Sequence, residues 1–294
     1  MNERDGLADR FEAQRGHLRA IAYRMLGSAS EADDAVQEAW LRLARVDANS
    51  VENLAGWLRT VVSRVCLDML RSGASRREEL VGLQALDASH ASGQGSDPEQ
   101  EAMLADSVGR ALLVVLDRLG ADERVAFVLH DMFAVPFDEI APIVGRSTVA
   151  AKKLASRARH RVRGAAAIRD AELARHRRVV EAFLAASRAG DIDGVLAVLA
   201  PDVVRRADRA ALPSGRATEV RGARAVAEEI VVFGRNARFA APALVNGAVG
   251  VVVAPHGRLL LALAVRIEGE QIAEYELIAD PARLQQLDLA VLDR

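Results

Sequence analysis

Residues 136–163 read PFDEIAPIVGRSTVAAKKLASRARHRVR, and this stretch has the pattern of two helices joined by a tight turn. Apolar residues at helical spacing lead to Gly145, and a longer helix that begins after Ser147 follows. Glycine tolerates the left-handed backbone of such a turn, and a serine hydroxyl can accept free amide hydrogens at the start of a helix. The stretch therefore predicts a helix-turn-helix, with Pro142 shortening or bending its first helix.

The second helix of this motif is basic. Seven basic and no acidic residues lie between Arg146 and Arg163. Lysine and arginine mostly bind DNA phosphates, and arginine can also hold a guanine edge with two hydrogen bonds. The pattern predicts DNA contact, with a solvated basic surface as the alternative. The candidate residues are Arg146, Thr148, Lys152, Lys153, Ser156, Arg157 and Arg159.

The composition is that of a multidomain globular protein. At about 100–200 residues per domain, 294 residues predict two or three domains, and 51% hydrophobic residues with a net charge of -2 exclude a disordered chain. Apolar runs are too short to cross a membrane and no signal peptide opens the chain, so we expect a cytoplasmic protein. The chain has a single cysteine, Cys66, which we expect to lie in the core. One cysteine cannot form an intrachain disulfide or a cysteine-rich zinc site. We expect no metal, cofactor or catalytic residue.

Helical and β patterns divide the chain into four parts. Residues 1–72 predict an all-helical domain, 73–98 an acidic linker and 99–165 a second helical domain that ends in the basic helix. Residues 173–294 predict an α+β domain. It has helices near 175–190, 191–200 and 223–233, and a mainly antiparallel sheet. The predicted strands are Val203–Asp208, Ala237–Val245, Val249–Val253, Leu259–Ile267 and Gln271–Ile278.

Two further stretches carry a family resemblance. EADDAVQEAWLRL at 31–43 and LAGWLRTVVSRVCLDMLRS at 54–72, taken with the helix-turn-helix, resemble a sigma factor of the extracytoplasmic-function type. The resemblance implies a protein that binds core RNA polymerase and directs promoter recognition and transcription initiation. It also implies that the first stretch docks on the clamp helices of the polymerase β′ subunit. The docking candidates are Asp34, Gln37, Glu38, Trp40 and Leu41.

The resemblance assigns the promoter contacts as well. It implies that the helix from Trp57 to Arg71 opens the -10 element, that the loop Asp47–Gly56 captures a flipped-out base, and that the helix-turn-helix reads the -35 element. Asn49, Ser50 and Asn53 are then candidates for base contacts. Arg59, Arg64 and Arg71 are candidates for phosphate contacts.

The last part resembles the SnoaL-like fold, a conical α+β barrel. The matching segments are HRRVVEAFLAASRAGDIDGVLAVLAPDVV at 176–204 and ADPARLQQL at 279–287. In the sigma factors that carry this extension it modulates activity in cis, without a dedicated membrane anti-sigma partner. Two motifs of that group differ here. Its DGGG stretch appears as Asp208–Ala211, and WLPEP is absent, with LVGLQAL at 80–86 near its place. We therefore transfer no interface between the extension and the linker.

The SnoaL-like fold also hosts enzymes, so other functions stay open. Its cone could hold a small-molecule ligand, and its polar groups include Asp208, Glu274, Tyr275, Glu276 and His256. No set of these has catalytic spacing, which favours regulation over catalysis. The alternatives are a one-component helix-turn-helix regulator with a ligand-sensing C-terminal domain, and a SnoaL-like enzyme fused to a DNA-binding region.

Overall fold

The computed structural model describes residues 3–46, 51–80 and 109–292. They form two compact units. The first unit contains the described residues up to 80 together with Leu116–Arg159, and the second contains residues 109–115 together with the chain from His160 onward. No helix in the described part is long and apolar enough to cross a membrane.

The first unit begins with three helices, α1 (Glu3–Leu26), α2 (Ala29–Leu43) and α3 (Leu54–Leu80). Ser28 caps α2, because its hydroxyl accepts the Glu31 amide at 3.3 Å. The buried side chains of the three helices form one apolar core. Helix α3 continues eight residues into the predicted linker, because its single glycine there, Gly73, costs a helix only about 1 kcal/mol. The rest of the predicted linker lies outside the described residues.

The helices that follow include the predicted motif. They are α4 (Arg110–Asp117), α5 (Ala121–Phe127) with a π-helical continuation (Val128–Met132), α6 (Phe137–Val144) and α7 (Thr148–Arg163). Helix α6 is eight residues long and is capped at its C-terminus by Gly145, whose φ is +68°. The Ser147 hydroxyl accepts the Ala150 amide at 3.2 Å. The predicted helix-turn-helix and both of its turn residues are confirmed.

The second unit is the predicted α+β domain. Its helices are α8 (Asp170–Ala189), α9 (Ile192–Val198), α10 (Ala223–Phe233) and α11 (Pro281–Gln286). Its strands are β1 (Leu199–Ala207), β2 (Glu219–Arg221), β3 (Ala240–Val245), β4 (Ala248–Val253), β5 (Leu261–Glu268), β6 (Gln271–Ile278) and β7 (Leu289–Ala290).

These strands form one sheet in the order β2-β1-β6-β5-β4-β3-β7. Only the β1–β6 pair is parallel among the described strands, so the sheet is mainly antiparallel as predicted. Asn246 and Gly247, both with positive φ, form the tight turn between β3 and β4. The unit also begins earlier than residue 173. The Val291 amide donates to the Val162 carbonyl at 2.8 Å, which ties the end of α7 to the chain after β7.

Candidate nucleic-acid interface

Helix α7 has one buried face and one exposed basic face. Ala151, Ala155 and Ala158 are buried, so the alanines face the protein core. Six of the seven residues predicted to contact the -35 element are exposed around the opposite side and the preceding turn. They are Arg146, Thr148, Lys152, Lys153, Ser156 and Arg157. The structure therefore brings these six residues to one accessible surface, which we call the α7 basic face.

Arg159 differs from the other six. Its Nε donates to Asp131 Oδ1 at 2.6 Å, and this hydrogen bond raises the pKa of Arg159. Asp131 lies in the π-helical segment that follows α5. The Arg159 guanidinium is thus held by a protein carboxylate.

The sequence analysis missed Val149, which lies within the α7 basic face. Its side chain is 65% exposed, the largest value among the large apolar residues of the described chain. The sequence did contain a pattern that places Val149 on this face. An apolar residue precedes Lys152 and Lys153 by three and four positions, which places all three on one side of a helix.

The three arginines predicted to contact the -10 element make contacts within the first unit. Arg59 on α3 forms an ion pair with Glu139 on α6, and Arg64 donates to the Pro142 carbonyl at 3.3 Å. The Arg71 Nη2 donates to Asp122 Oδ1 on α5 at 2.7 Å. All three side chains therefore contact α5 or α6 in this structure.

Asp122 links residues from both predicted promoter-binding sets. Its second oxygen lies 3.5 Å from Arg146 Nη2, at the turn of the helix-turn-helix, while its first binds Arg71. Sequence analysis assigned no role to Asp122 or Glu139. Local periodicity carries no signal for pairs that are separated by 51 and 80 residues.

The predicted base-capture loop is described only in part. Asn49 and Ser50 lie outside the described residues. The Asn53 Oδ1 accepts the Gly56 amide at 2.9 Å, which caps the start of α3. Asn53 also lines a shallow cavity of about 330 Å³ together with Arg10, Gln14 and Glu52.

The residues predicted to dock on polymerase divide into two groups on α2. Asp34, Gln37 and Leu41 are exposed at spacings of three and four, and Leu41 is 45% exposed. In contrast, Glu38 pairs with Arg42 at 2.8 Å, and Trp40 lies with its ring centroid 5.0 Å from that of Phe11 on α1. Asp34, Gln37 and Leu41 therefore form an accessible surface that presents a carboxylate, an amide and an apolar side chain.

Carboxylates of the second unit are held by structural partners. Asp208 accepts the amides of Ala211, Ala279 and Asp280 at 2.8–3.0 Å and thereby joins the ends of β1 and β6. Glu274 pairs with Arg206 and Arg266. Glu276 pairs with Arg283 at 2.8 Å.

Two polar features of the second unit were not predicted. Arg205 is only 1% exposed, and its guanidinium donates to Glu229 at 2.5 Å and to the Ala217 carbonyl at 2.9 Å. Its strand neighbour Tyr275 is buried, which raises the pKa of the phenol. Separately, Arg175 and Arg178 line a cavity of about 690 Å³ with the β5–β6 turn.

Both helical parts of the chain match families of known proteins. Residues 11–77 match the family described as Sigma-70 region 2, and residues 109–162 match the family described as Sigma-70, region 4. The two matches contain α2, most of α3 and the helix-turn-helix.

Long relatives match the extension too. The chain is 42% identical over 255 residues to the ECF RNA polymerase sigma factor SigJ of Mycobacterium tuberculosis, covering 83% of this chain and 80% of the relative. It is 34% identical to the probable ECF RNA polymerase sigma factor SigI of the same species, covering 98% of each. The crystal structure of Mycobacterium tuberculosis SigJ aligns with 94% of this chain and 98% of that chain, at 33% identity and a TM-score of 0.45. The sequence matches show that this chain belongs to the extracytoplasmic-function family of RNA polymerase sigma factors, which direct promoter recognition.

Proposed function

We propose that the α7 basic face binds the -35 element in the major groove, while α3 contacts the -10 element and α2 docks on the β′ clamp helices. The exposure of the α7 basic face is the observation that carries the first assignment. Lys152 and Lys153 form no ion pair within the described residues. A helix that buries alanines and exposes unpaired cations suits the groove of a polyanion.

The -35 assignment is tested by the salt dependence of promoter binding. Arg157 is exposed on the α7 basic face, so Arg157→Ala removes one phosphate contact and lowers the slope of log affinity against log salt by about one. Arg224→Ala is the matched control, because Arg224 is an exposed arginine on α10. Both holoenzymes are titrated with one promoter fragment at several salt concentrations. An unchanged slope for Arg157→Ala would remove this residue from the interface.

The docking assignment rests on Asp34, Gln37 and Leu41. These side chains are exposed on one face of α2, whereas Trp40 packs on α1. We expect Asp34→Ala combined with Gln37→Ala to weaken binding to core polymerase about tenfold, which is about 1.4 kcal/mol. Glu12 is an exposed acid on α1, and Glu12→Ala should leave this affinity unchanged. Equal affinities of all three chains for core polymerase would place the docking surface elsewhere.

If α3 contacts the -10 element, its three arginines must exchange their present protein partners for DNA phosphates. Arg59, Arg64 and Arg71 now bind Glu139, Pro142 and Asp122. DNA phosphates can replace these partners, because each arginine exchanges one anionic or carbonyl acceptor for another. Asn53, beside its shallow cavity, supports base capture by the loop, and Asn49 and Ser50 remain predictions. We infer that α3 reaches the -10 element only after these contacts break.

The second unit is proposed to modulate transcription in cis. Asp208, Glu274 and Glu276 are held by structural hydrogen bonds and ion pairs, which favours a regulatory role over catalysis. The cavity lined by Arg175, Arg178, Glu268 and Glu270 is the proposed place for a small-molecule ligand. Because the sigma activity requires polymerase and promoter DNA, we place the protein in the cytoplasm.

Transcription by purified core polymerase tests the function and its control together. The full chain and a chain ending at Gly164 are compared on a promoter library, with helical content measured for both. Transcription by either chain supports sigma activity, and the ratio between them gives the sign of control. Silence from both folded chains would instead favour a ligand-sensing regulator, and turnover of a small molecule by the full chain would favour an enzyme.

A further inference from the structure

Val149 is placed where a promoter-reading side chain is expected, yet it is apolar. It is the second residue of α7 and is 65% exposed. Burial does not account for a valine here, and helix propensity disfavours valine relative to alanine. Its neighbours on the helix surface, Lys152 and Lys153, are also exposed and lie one turn further along.

The chemistry of the major groove restricts what an apolar side chain can contact. Base edges present hydrogen-bond donors and acceptors there, and thymine alone adds a methyl group at C5. Residues near the N-terminus of a recognition helix are the ones that reach base edges in helix-turn-helix complexes. A valine between a capping serine and two lysines therefore has one apolar partner in the groove.

We propose that Val149 reads the 5-methyl group of a thymine in the -35 element. Lys152 and Lys153 bind the flanking phosphates and hold the first turn of α7 against the groove floor. This inference rests on the proposed docking of α7 at the -35 element. It adds sequence discrimination to a surface whose other members mainly supply charge.

The test removes the methyl group from the DNA and the methyl groups from the protein, separately and together. Holoenzyme containing the full chain is first used to select a preferred -35 sequence from a randomised library. Each thymine of that element, on either strand, is then replaced by deoxyuridine, which lacks only the 5-methyl group. Affinities are measured for wild-type, Val149→Ala and Val149→Thr holoenzymes.

We expect one deoxyuridine substitution to weaken wild-type binding about three- to fourfold, the value for one buried methyl group. The same substitution leaves Val149→Ala unaffected, because the protein side of the contact is already missing. Val149→Thr, which keeps the shape and one methyl group, shows an intermediate loss. Leu260→Ala, a substitution of an exposed apolar residue in the second unit, behaves as wild type.

Several outcomes would overturn the inference. A selected -35 element without any A·T pair, wild-type binding that is insensitive to every deoxyuridine, or equal losses in wild type and Val149→Ala would each exclude methyl readout by Val149. Weaker binding of Val149→Ala to core polymerase without DNA would assign the side chain to a protein contact instead. If wild-type holoenzyme selects no sequence, the proposed -35 docking itself fails, which is a separate result.

Discussion

Gly145 and Gly16 show how the backbone at a single residue decides the effect of the same substitution. Gly145 has φ +68° at the turn of the helix-turn-helix, whereas Gly16 lies inside α1 with no atom near the position of an added Cβ. We expect Gly145→Ala to lower the free energy of unfolding by about 1–2 kcal/mol, the cost of a left-handed alanine. Gly16→Ala should raise it by up to about 1 kcal/mol, because alanine is the better helix former. Urea unfolding measures both, and stabilisation by Gly145→Ala would contradict the turn geometry.

Cys66 gives a second prediction at this scale. Burial raises the pKa of its thiol to about 12, and the side chain is 0% exposed. Because the thiolate is the reactive form, we expect the native chain to resist a disulfide reagent at pH 8 for minutes to hours. The same reagent should titrate one thiol per chain in guanidinium. Rapid stoichiometric reaction of the native chain would show that the core around Cys66 opens readily.

The sequence predicts which side chains of a helix are exposed, but it does not predict which distant residues they contact. Helical spacing correctly placed Lys152, Lys153 and Arg157 on an exposed surface. The same spacing could not show that Arg159 binds Asp131, because that carboxylate lies 28 residues away. Val149 was not predicted for a different reason, because the expectation of DNA contact rested on basic and polar side chains and valine is neither.

At the scale of elements, the contacts of α3 with α5 and α6 lead to a prediction about the affinity of the free chain for promoter DNA. Asp122 binds both Arg71 and Arg146. Asp122→Asn weakens both pairs, so we expect the free chain to bind a promoter fragment severalfold more tightly, as measured by fluorescence anisotropy. Glu181→Gln is the control, because it makes the same charge change at an exposed pair with Arg177 on α8. Equal gains for the two variants would mean that net charge alone is responsible.

The periodicity of the sequence predicted which segments form helices and which form strands, but it did not predict the residues at which they begin and end. Strands β3 to β6 were predicted within a few residues because their β-rich runs are bounded by turn residues. Strands β2 and β7 were missed, because three and two residues are too short to show alternation. Residues 237–239 were predicted as strand and form the end of a 3-10 helix (Gly234–Phe239) instead.

At the scale of the whole molecule, the second unit depends on a buried ion pair. Arg205 is 2% exposed and Glu229 23% exposed in their side chains. Glu229→Gln leaves a buried guanidinium without its counter-charge, and we expect the free energy of unfolding of this unit to fall by about 2–4 kcal/mol. The neighbouring Glu228→Gln disrupts only an exposed pair with Arg224 and should cost less than about 1 kcal/mol. Thermal unfolding of the full chain compares them, and similar losses would contradict the burial of the Arg205 pair.

The division of the whole chain was the least predictable property. Helical spacing and β-rich runs correctly indicated helical parts before an α+β part. The compact units nevertheless place residues 109–115 and the chain from His160 with the sheet. Contacts such as Val291 with Val162 join residues more than 100 positions apart, and local patterns contain no information about them.

The bond between Val162 and Val291 also imposes an order on biosynthesis. Strand β7 and this bond close the second unit, so the unit is incomplete until residue 291 has left the ribosome. At about 5–20 residues per second, roughly 130 residues take about 6–26 s to synthesise after α7. During that interval the nascent chain already contains the whole helix-turn-helix sequence while the sheet of its extension is unfinished. Each newly made chain thus passes through a period in which the proposed control by the extension cannot yet operate.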